Sequence, residues 1–482
     1  MVPRPRRRPV PARGGQVGGQ VGGQVGAPAA VDRDVVPLRE ATRAWFAISL
    51  QTFGGPAGQI AVMHRTLVDE RRWIGEQRFL FALSYCTLLP GPEAQQLATY
   101  IGWLLNGVKG ALVAGTLFVL PGVVALLALS GTYVAFGDTT LVQALFLGLG
   151  PAVIAIVIQA VIRVGRKALT RPTLVGLAVA SFVALSVFAV PFPAVVAGAG
   201  LLGWLTGRVS PTVAEGPAAR GKADGGPPPL VPDDALHTQR PTARRAAAVL
   251  GIGLLLWAAP VVAVGVLFGR QSVFVAQGLF FSGAAVVTFG GAYAVLAYVA
   301  QQAVGVYGWV APGEMVRGLA LAETTPGPLI MVVQFVAFLG AYRHPGSLNP
   351  WGAAVLGALL TTWVTFVPCF LFILLGAPYV ERLRHHRGLS AALTGVSAAV
   401  VGVIANLAVY FALHTLFEET HRIGVGPVRF ELPVVGSLQV AALTVTALGC
   451  VLVFARRWSV LRTLGACAVA GVVLQLLSAR LH

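Results

Sequence analysis

Apolar runs of about 20 residues, the length that carries an α-helix across a bilayer, follow one another from residue 42 to residue 479. About thirteen can be counted on that criterion. Lipid offers no partner to an unpaired N–H or C=O, so a chain of this kind must place its backbone in helices. The composition agrees, with 56% hydrophobic residues, 11% charged residues and a mean hydropathy of +0.77. The expected fold class is an all-α polytopic membrane protein with about 13 transmembrane helices. Two of the runs nevertheless carry helix breakers: TLLPGPEAQQ at 87–96 and ETTPGPLIMV at 323–332.

The charge pattern sets the expected organisation. Residues 1–40 join RPRRRPVPAR to GGQVGGQVGGQVG, too poor in large apolar side chains to build a core, and read as a disordered basic tail. A membrane half follows at 41–208, a polar Gly/Pro-rich linker at 209–244, a linking span at 245–270 and a second membrane half at 271–482. The first apolar run starts near Trp45, too late for a cleaved signal peptide. The net charge of +17 lies in the tail and short loops rather than on a soluble basic face, so it speaks for topology and against a nucleic-acid partner.

With a cytoplasmic N-terminus and thirteen crossings, about 26 of the 35 Lys and Arg fall inside and about nine outside, which leaves the C-terminus periplasmic or extracellular. Inner clusters are RVGRKALTR at 163–171, RLRHHR at 382–387 with its juxtamembrane His385-His386, and RRWSVLR at 456–462. One loop dissents: Arg65, Arg71, Arg72 and Arg78 fall on the expected outer side. Within HRTLVDERRWIGEQR (64–78) the alternating charges suit a solvated, salt-bridged helix, and the same arginines suit a vestibule that recruits or releases an anion. The cysteines Cys86, Cys369, Cys450 and Cys467 are isolated within apolar runs and read as small buried hydrophobes, with no metal site or disulfide framework.

The chain also repeats itself. At an offset of 236, Phe53-Gly54-Gly55 matches Phe289-Gly290-Gly291, Trp73 matches Trp309, and Pro90-Gly91-Pro92 matches Pro326-Gly327-Pro328. After an insertion around YRHPGSLNPW the offset becomes 247, and Gly148, Ala152, Val153 and Gln159 align with Gly395, Ala399, Val400 and Asn406. Each copy holds six runs, with one left between them, so the second copy is expected to start from the opposite face. Such inverted repeats with interrupted helices place a substrate near the bilayer midplane and rock around it.

Proline lacks an N–H and disfavours helix in the residue before it, so Pro-Gly-Pro ends one helix and lets another begin. The restart presents unpaired N–H groups and a positive dipole end, which favours an anion. Candidate contacts are Pro90, Gly91, Pro92, Pro326, Gly327 and Pro328, with packing kinks as the plainer reading. Gly54, Gly55 and Pro56 in one copy and Gly290 and Gly291 in the other suit either close helix packing or ligand contact, and Gln59 extends the same stretch. Gln95, Gln96, Thr99 and Asn106, with Thr324, Thr325 and Gln334, add hydrogen-bonding groups for a tetrahedral oxyanion. Glu93 and Glu323 are intramembrane carboxylates. A carboxylate repels an anion, so both are read as proton-coupling candidates, Glu93 alternatively as a cap on its restarted helix.

Together FGGPAGQIAVMHRTLVDERRWIGEQRF, LLPGPEAQQLATYIGWLLNGVKGALVAGTLFVLPG, VTFGGAYAVL and LALAETTPGPLIMVVQFVAFLGAYR resemble the chromate ion transporter family in its long, two-domain form, over about 41–480. The resemblance implies a bacterial inner-membrane protein that exports chromate, with the proton-motive force as its driving force and two homologous halves in opposite orientation. It assigns motif roles to Gly54, Gly55, Pro56, Arg71, Trp73, Pro90, Gly91, Pro92, Gln96, Gly102, Pro326, Gly327 and Pro328. Some family members carry asparagine at the position of Glu93, which favours Glu323 as the coupling group.

Uptake or exchange of sulfate, an anion of the same charge and shape, stands as the alternative; the partners expected are the oxyanion, protons and lipid. An intramembrane enzyme would need a nucleophile–base pair or metal ligands at membrane depth, and the sequence shows no H-x-x-x-H, no paired cysteines and no cofactor fingerprint. The oligomeric state stays open, a homodimer included.

Overall fold

Helix breakers decide where the elements of this protein stop. The computed structural model describes residues 35–87, 89–209, 229–231, 242–289, 291–377, 387–425 and 428–481. In the first half α1 (Leu38–Ser49) ends ahead of Phe53-Gly54, and α2 (Gly55–His64) restarts with Pro56 in its first turn and continues as a π-helical turn over Arg65–Glu70. α3 (Glu76–Cys86) stops short of Pro90, and α4 (Glu93–Phe136) restarts just past Pro92. Asn106 and Gly107 leave helical geometry inside α4 and divide it into a short arm and a long rod. α5 (Thr140–Ala168), α6 (Pro172–Ser186) and α7 (Phe192–Val209) complete this half.

After the linking helix α8 (Ala243–Phe268) the same order returns. It comprises α9 (Val273–Val287), α10 (Ala292–Gly305) and α11 (Pro312–Thr324), then a 3-10 turn at Leu329–Met331 leading into α12 (Val332–Arg343). α13 (Pro350–Gly376) and α14 (Arg387–Leu416) follow, then α15 (Val440–Cys450), prolonged by a π turn at Val451–Ala455, and α16 (Val460–Leu481). Between α14 and α15 an antiparallel hairpin pairs β1 (Thr420–Val425) with β2 (Val428–Pro433). The all-α expectation lacked this hairpin; it lies in a polar connection whose short segments carry no helical apolar face.

Among the described residues six helices, α4, α5, α8, α13, α14 and α16, are long and apolar enough to cross a membrane. The runs 42–62, 79–105, 273–300 and 315–341 are instead each broken in two, and their ends turn back to one another. Arg71 lies 3.4 Å from Glu40, joining the end of the α2 segment to the start of α1. The N–H of Val35 donates to the Leu105 carbonyl at 2.9 Å and Asn106 Nδ2 to the Val36 carbonyl at 2.5 Å, bringing the end of the α4 arm to the same place. In the second half Arg343 donates to the Trp309 carbonyl at 3.1 Å and bonds both oxygens of Glu314, gathering the ends of α10, α11 and α12.

This geometry corrects the expected sidedness of the loop at 64–78. Thirteen crossings would set that loop and the central linker on opposite faces. Yet Leu230 N–H donates to the Arg72 carbonyl at 3.1 Å, Val231 N–H to the Trp73 carbonyl at 3.0 Å and Gly75 N–H to the Val231 carbonyl at 3.1 Å. A helix interrupted at its middle folds back as easily as it continues, and its two arms are too short to count as separate crossings.

The two halves interlock by exchanging equivalent helices. α14 packs on α6 and α7, while α5, its counterpart, packs on α15 and α16. The contacts are close because small residues face each other: Gly395 lies against Gly203 and the Ala199 carbonyl, and Gly148 lies against Gly471 and the Cys467 carbonyl, with no room for a Cβ at either position. α8 stays at the rim, packed on α9 and α13, with Leu255, Val266 and Leu267 exposed as lipid-facing side chains would be. Cys86, Cys369 and Cys467 are buried and Cys450 partly so, and all four are free thiols.

The fold-back arrangement predicts that cysteines introduced at Asp69 and Leu230, both exposed, react with a membrane-impermeant maleimide from the same side in oriented vesicles. Labelling from opposite sides would restore the thirteen-crossing arrangement.

Candidate functional site

The four helix breaks meet one another across the two halves. Each Pro-Gly-Pro turns its glycine N–H toward the other half: Gly91 N–H donates to the Thr288 carbonyl at 2.8 Å, and Gly327 N–H to the Thr52 carbonyl at 3.0 Å. Thr52 and Thr288 are equivalent residues, each fully buried and each placed just before a Phe-Gly-Gly break. Their hydroxyls bond back into their own helices, to the Ser49 and Ala284 carbonyls. Buried backbone groups must be paired, and here each break completes its pairing only in the presence of the other half.

A second exchanged contact presses on the same points. The α4 rod brings Gly122 against the carbonyl of Pro326 and the Cα of Gly327. At the equivalent place in the second half, Cys369 of α13 faces Gly91. Gly91 has φ +123° and Gly327 φ +105°, a region that L side chains rarely adopt. A Cβ on Gly91 would lie 2.7 Å from Gln96 Nε2 and 2.8 Å from Cys369 Sγ.

The polar candidates gather around these turns. Gln59 Nε2 donates to the Gly327 carbonyl at 2.5 Å, so the first half holds that peptide from both ends. Gln96 Nε2 donates to the Pro90 carbonyl at 2.6 Å, closing its own break. Gln95 reaches Thr99 Oγ1 at 3.1 Å and keeps a buried, unpartnered Oε1. Thr324 and Thr325 bond the carbonyls of Leu321 and Ala322, which ends α11 neatly but commits both hydroxyls. Gln334 donates to the Val123 carbonyl on the α4 rod, and Asn106 holds α1 as described, so both serve packing.

None of the four restarts has a side-chain cap: the N-caps are Gly54 for α2, Pro92 for α4, Gly291 for α10 and Pro328 for the 3-10 turn before α12. Gly291 adjoins Glu93, whose Oε1 lies 4.0 Å from where a Cβ would sit, and Gly55 adjoins Tyr293 Oη at 3.7 Å by the same measure. Gly290 lies outside the described residues. Glu323 is buried at the end of α11, accepts a 2.5 Å hydrogen bond from Tyr293 on Oε1 and leaves Oε2 buried without a partner. Glu93 is partly exposed and heads the α4 arm.

The four arginines of the 64–78 loop stand at the far end of the hairpins rather than among the breaks. Arg65 pairs with Glu70 at 3.3 Å, Arg71 stacks over Trp73 while reaching Glu40, and Arg78 is buried with its guanidinium near the Phe81 ring. Arg72 contributes its carbonyl to the linker contact. His385 and His386 lie outside the described residues.

The Chromate transporter family model matches residues 39–204 and 275–472. The chain belongs to the chromate transporter family. It is similar to a chromate transport protein of Pseudomonas aeruginosa, 34% identical over 74% of this chain and 76% of the relative. It is also similar to a chromate transport protein of Cupriavidus metallidurans, 28% identical over 79% of this chain and 84% of the relative. A probable chromate transport protein of Synechococcus elongatus is 28% identical over 79% of this chain and 86% of its own length. No solved structure matches. The family is one of transporters, and the matched stretches leave out α8.

Three contributors escaped the sequence reading. Thr52 and Thr288 were visible in the paired QTFGG and VTFGG, but a threonine in an apolar run draws no attention until its carbonyl is seen to matter. Tyr293 follows Gly291 by two residues and has no counterpart at the same offset, where Ala57 stands, so the repeat gave no pointer to it.

The crowded left-handed turn predicts that Gly91→Ala costs about 1–3 kcal/mol of backbone strain and lowers the thermal midpoint in detergent. Gly176→Ala on α6, where a Cβ meets nothing within 4 Å, leaves the midpoint unchanged or raises it slightly.

Proposed function

We propose that this chain is a secondary active transporter that exports chromate, a tetrahedral oxyanion dianion, across the bacterial inner membrane at the expense of the proton-motive force. Family membership supports the substrate class. The observation that carries the site is the convergence of uncapped helix starts from both halves around the two Pro-Gly-Pro turns. Helix N-termini stabilise anions through free N–H groups and the dipole, and in a buried, low-dielectric surrounding such partial charges act more strongly than in bulk water.

In this reading Gly54, Gly55, Pro56, Gln59, Pro90, Gly91, Pro92, Gln95, Gln96, Gly290, Gly291, Thr324, Thr325, Pro326, Gly327 and Pro328 form or frame the anion site. Glu323 carries the coupled proton, with Tyr293 as its hydrogen-bond partner, and Glu93 stands at the edge of the site. The halves 41–208 and 271–482 rock about the shared breaks to open the site to each face in turn.

The topology that goes with this mechanism has nine crossings: the α4 rod, α5, α6, α7, α8, α13, α14, α15 and α16. The hairpins α1–α2 and α3–α4 arm enter from the cytoplasm; α9–α10 and α11–α12 enter from the periplasm, which makes the repeat an inverted one. Arg65, Arg71, Arg72 and Arg78 then join the cytoplasmic side. Of the 35 Lys and Arg, only Arg270, Arg317, Arg343, Arg422, Arg429 and Arg480 are left outside, in keeping with the positive-inside rule. The N-terminus stays cytoplasmic and the C-terminus periplasmic.

Labelled-chromate uptake into inside-out vesicles tests the proposal, with a protonophore and excess sulfate as separate arms. Accumulation should collapse with the proton gradient. The Pro90→Ala, Pro326→Ala pair should slow it by about tenfold or more, a change of 1.4 kcal/mol in the barrier. Glu323→Gln should abolish uphill accumulation while chromate still exchanges down its gradient. Absence of any chromate flux refutes the proposal, and flux carried by sulfate in preference shifts the substrate to sulfate.

A further inference from the structure

Away from the breaks, a cavity of about 300 Å³ opens where α11 begins, walled by α5, α14, α15, α16 and the segment leading into α15. Its polar lining comes from Arg317, His414, Thr415, Gln143, Gln439 and Gln475, and Phe146 and Val316 supply apolar walls. Residues from both halves meet in it. Arg317 precedes Glu323 by six residues on α11, so the cavity stands roughly 9 Å along that helix from the buried carboxylate.

The electrostatics suit an anion. Arg317 donates to Tyr133 Oη at 3.0 Å and lies 5.6 Å from the Phe146 ring centre, and no carboxylate among the described residues forms an ion pair with it. Glu314, three residues earlier on α11, pairs with Arg343 at 2.6 Å and reaches Arg317 only through Tyr133 Oη, which donates to Glu314 Oε1 at 3.2 Å. Thr415 Oγ1 is buried without a hydrogen-bond partner. His414 turns Nδ1 to the Tyr410 carbonyl and Nε2 toward Glu431 at 3.5 Å, and Glu431 is not part of the lining. A guanidinium, a free hydroxyl and three primary amides around one small space offer hydrogen-bond donors to several oxygens at once, with the guanidinium fork matched to an oxyanion edge.

The cavity is also outside the duplicated machinery. Arg317 has Phe81 as its counterpart at the offset of 236, so the cation belongs to one mouth alone. We propose that this cavity is a second binding site for a tetrahedral oxyanion dianion, a waiting station between the periplasmic face and the helix breaks. The identity of the ligand rests on the transport reading above; the geometry of the site does not.

Gly313 lines the cavity, and a Cβ there meets nothing within 4 Å, so Gly313→Cys in the full-length chain is a usable probe. Sulfate is the test anion because chromate oxidises thiols, and N-ethylmaleimide is the reagent because it is neutral. Sulfate should slow modification of Gly313→Cys several-fold and saturably against chloride at equal ionic strength. Protection should vanish when Arg317→Gln is added and return in part with Arg317→Lys. In right-side-out vesicles, where this periplasmic cavity meets external chromate first, Arg317→Gln should raise KM for chromate exchange about tenfold with kcat retained. Absence of protection, or equal protection with Arg317→Gln, overturns the site. Protection decides the cavity whether or not wild-type vesicles move chromate: loss of flux alone strikes the transport reading, and loss of protection alone strikes this one.

Discussion

The structure depends on two backbone hydrogen bonds that each half lends the other, Gly91 to Thr288 and Gly327 to Thr52. In a bilayer an interrupted helix is tolerable only where something else satisfies the freed peptide groups. Neither Pro-Gly-Pro finds all of that within its own half. The breaks are therefore stable as a pair, and the same requirement draws the Phe-Gly-Gly breaks, the α4 rod and α13 into one place.

This mutual dependence explains why packing elsewhere is exchanged as well. α5 and α14 each leave their own half to lie between the last two helices of the other, through equivalent glycines at Gly148 and Gly395. Hydrophobic burial drives association weakly within lipid, so close contact between small residues and shared hydrogen bonds must hold the assembly. Besides the hairpin and the insertion between α12 and α13, asymmetry enters in side chains: Gln59, Tyr293 and Arg317 stand where Val295, Ala57 and Phe81 occupy the matching positions of the other copy.

Much of this was legible in the sequence. The breaks, their duplication and the alignment of Gly148 with Gly395 follow from residues that punctuate or pack, and those properties survive translation from sequence to space. What was hidden was direction. An apolar run of about 25 residues broken in the middle has the length of one crossing and the shape of a hairpin, and hydropathy does not tell the two apart. The dissenting arginines at 65, 71, 72 and 78 were the one hint, and the hydrogen bonds from Leu230 and Val231 give it meaning. Tyr293 was hidden for another reason, since its importance comes from Glu323, thirty residues away.

The rim position of α8 bears on how such a chain is made. Its surface is left mostly to lipid and its neighbours are α9 and α13, so the interlocked centre owes it little cohesion. In the nine-crossing topology proposed above its contribution is to parity: a single additional traverse obliges whatever follows to be threaded into the bilayer the other way round. Without that traverse, one translated polypeptide would present two like-facing modules, and the reciprocal clasp could form only between molecules that the translocon had inserted in contrary senses.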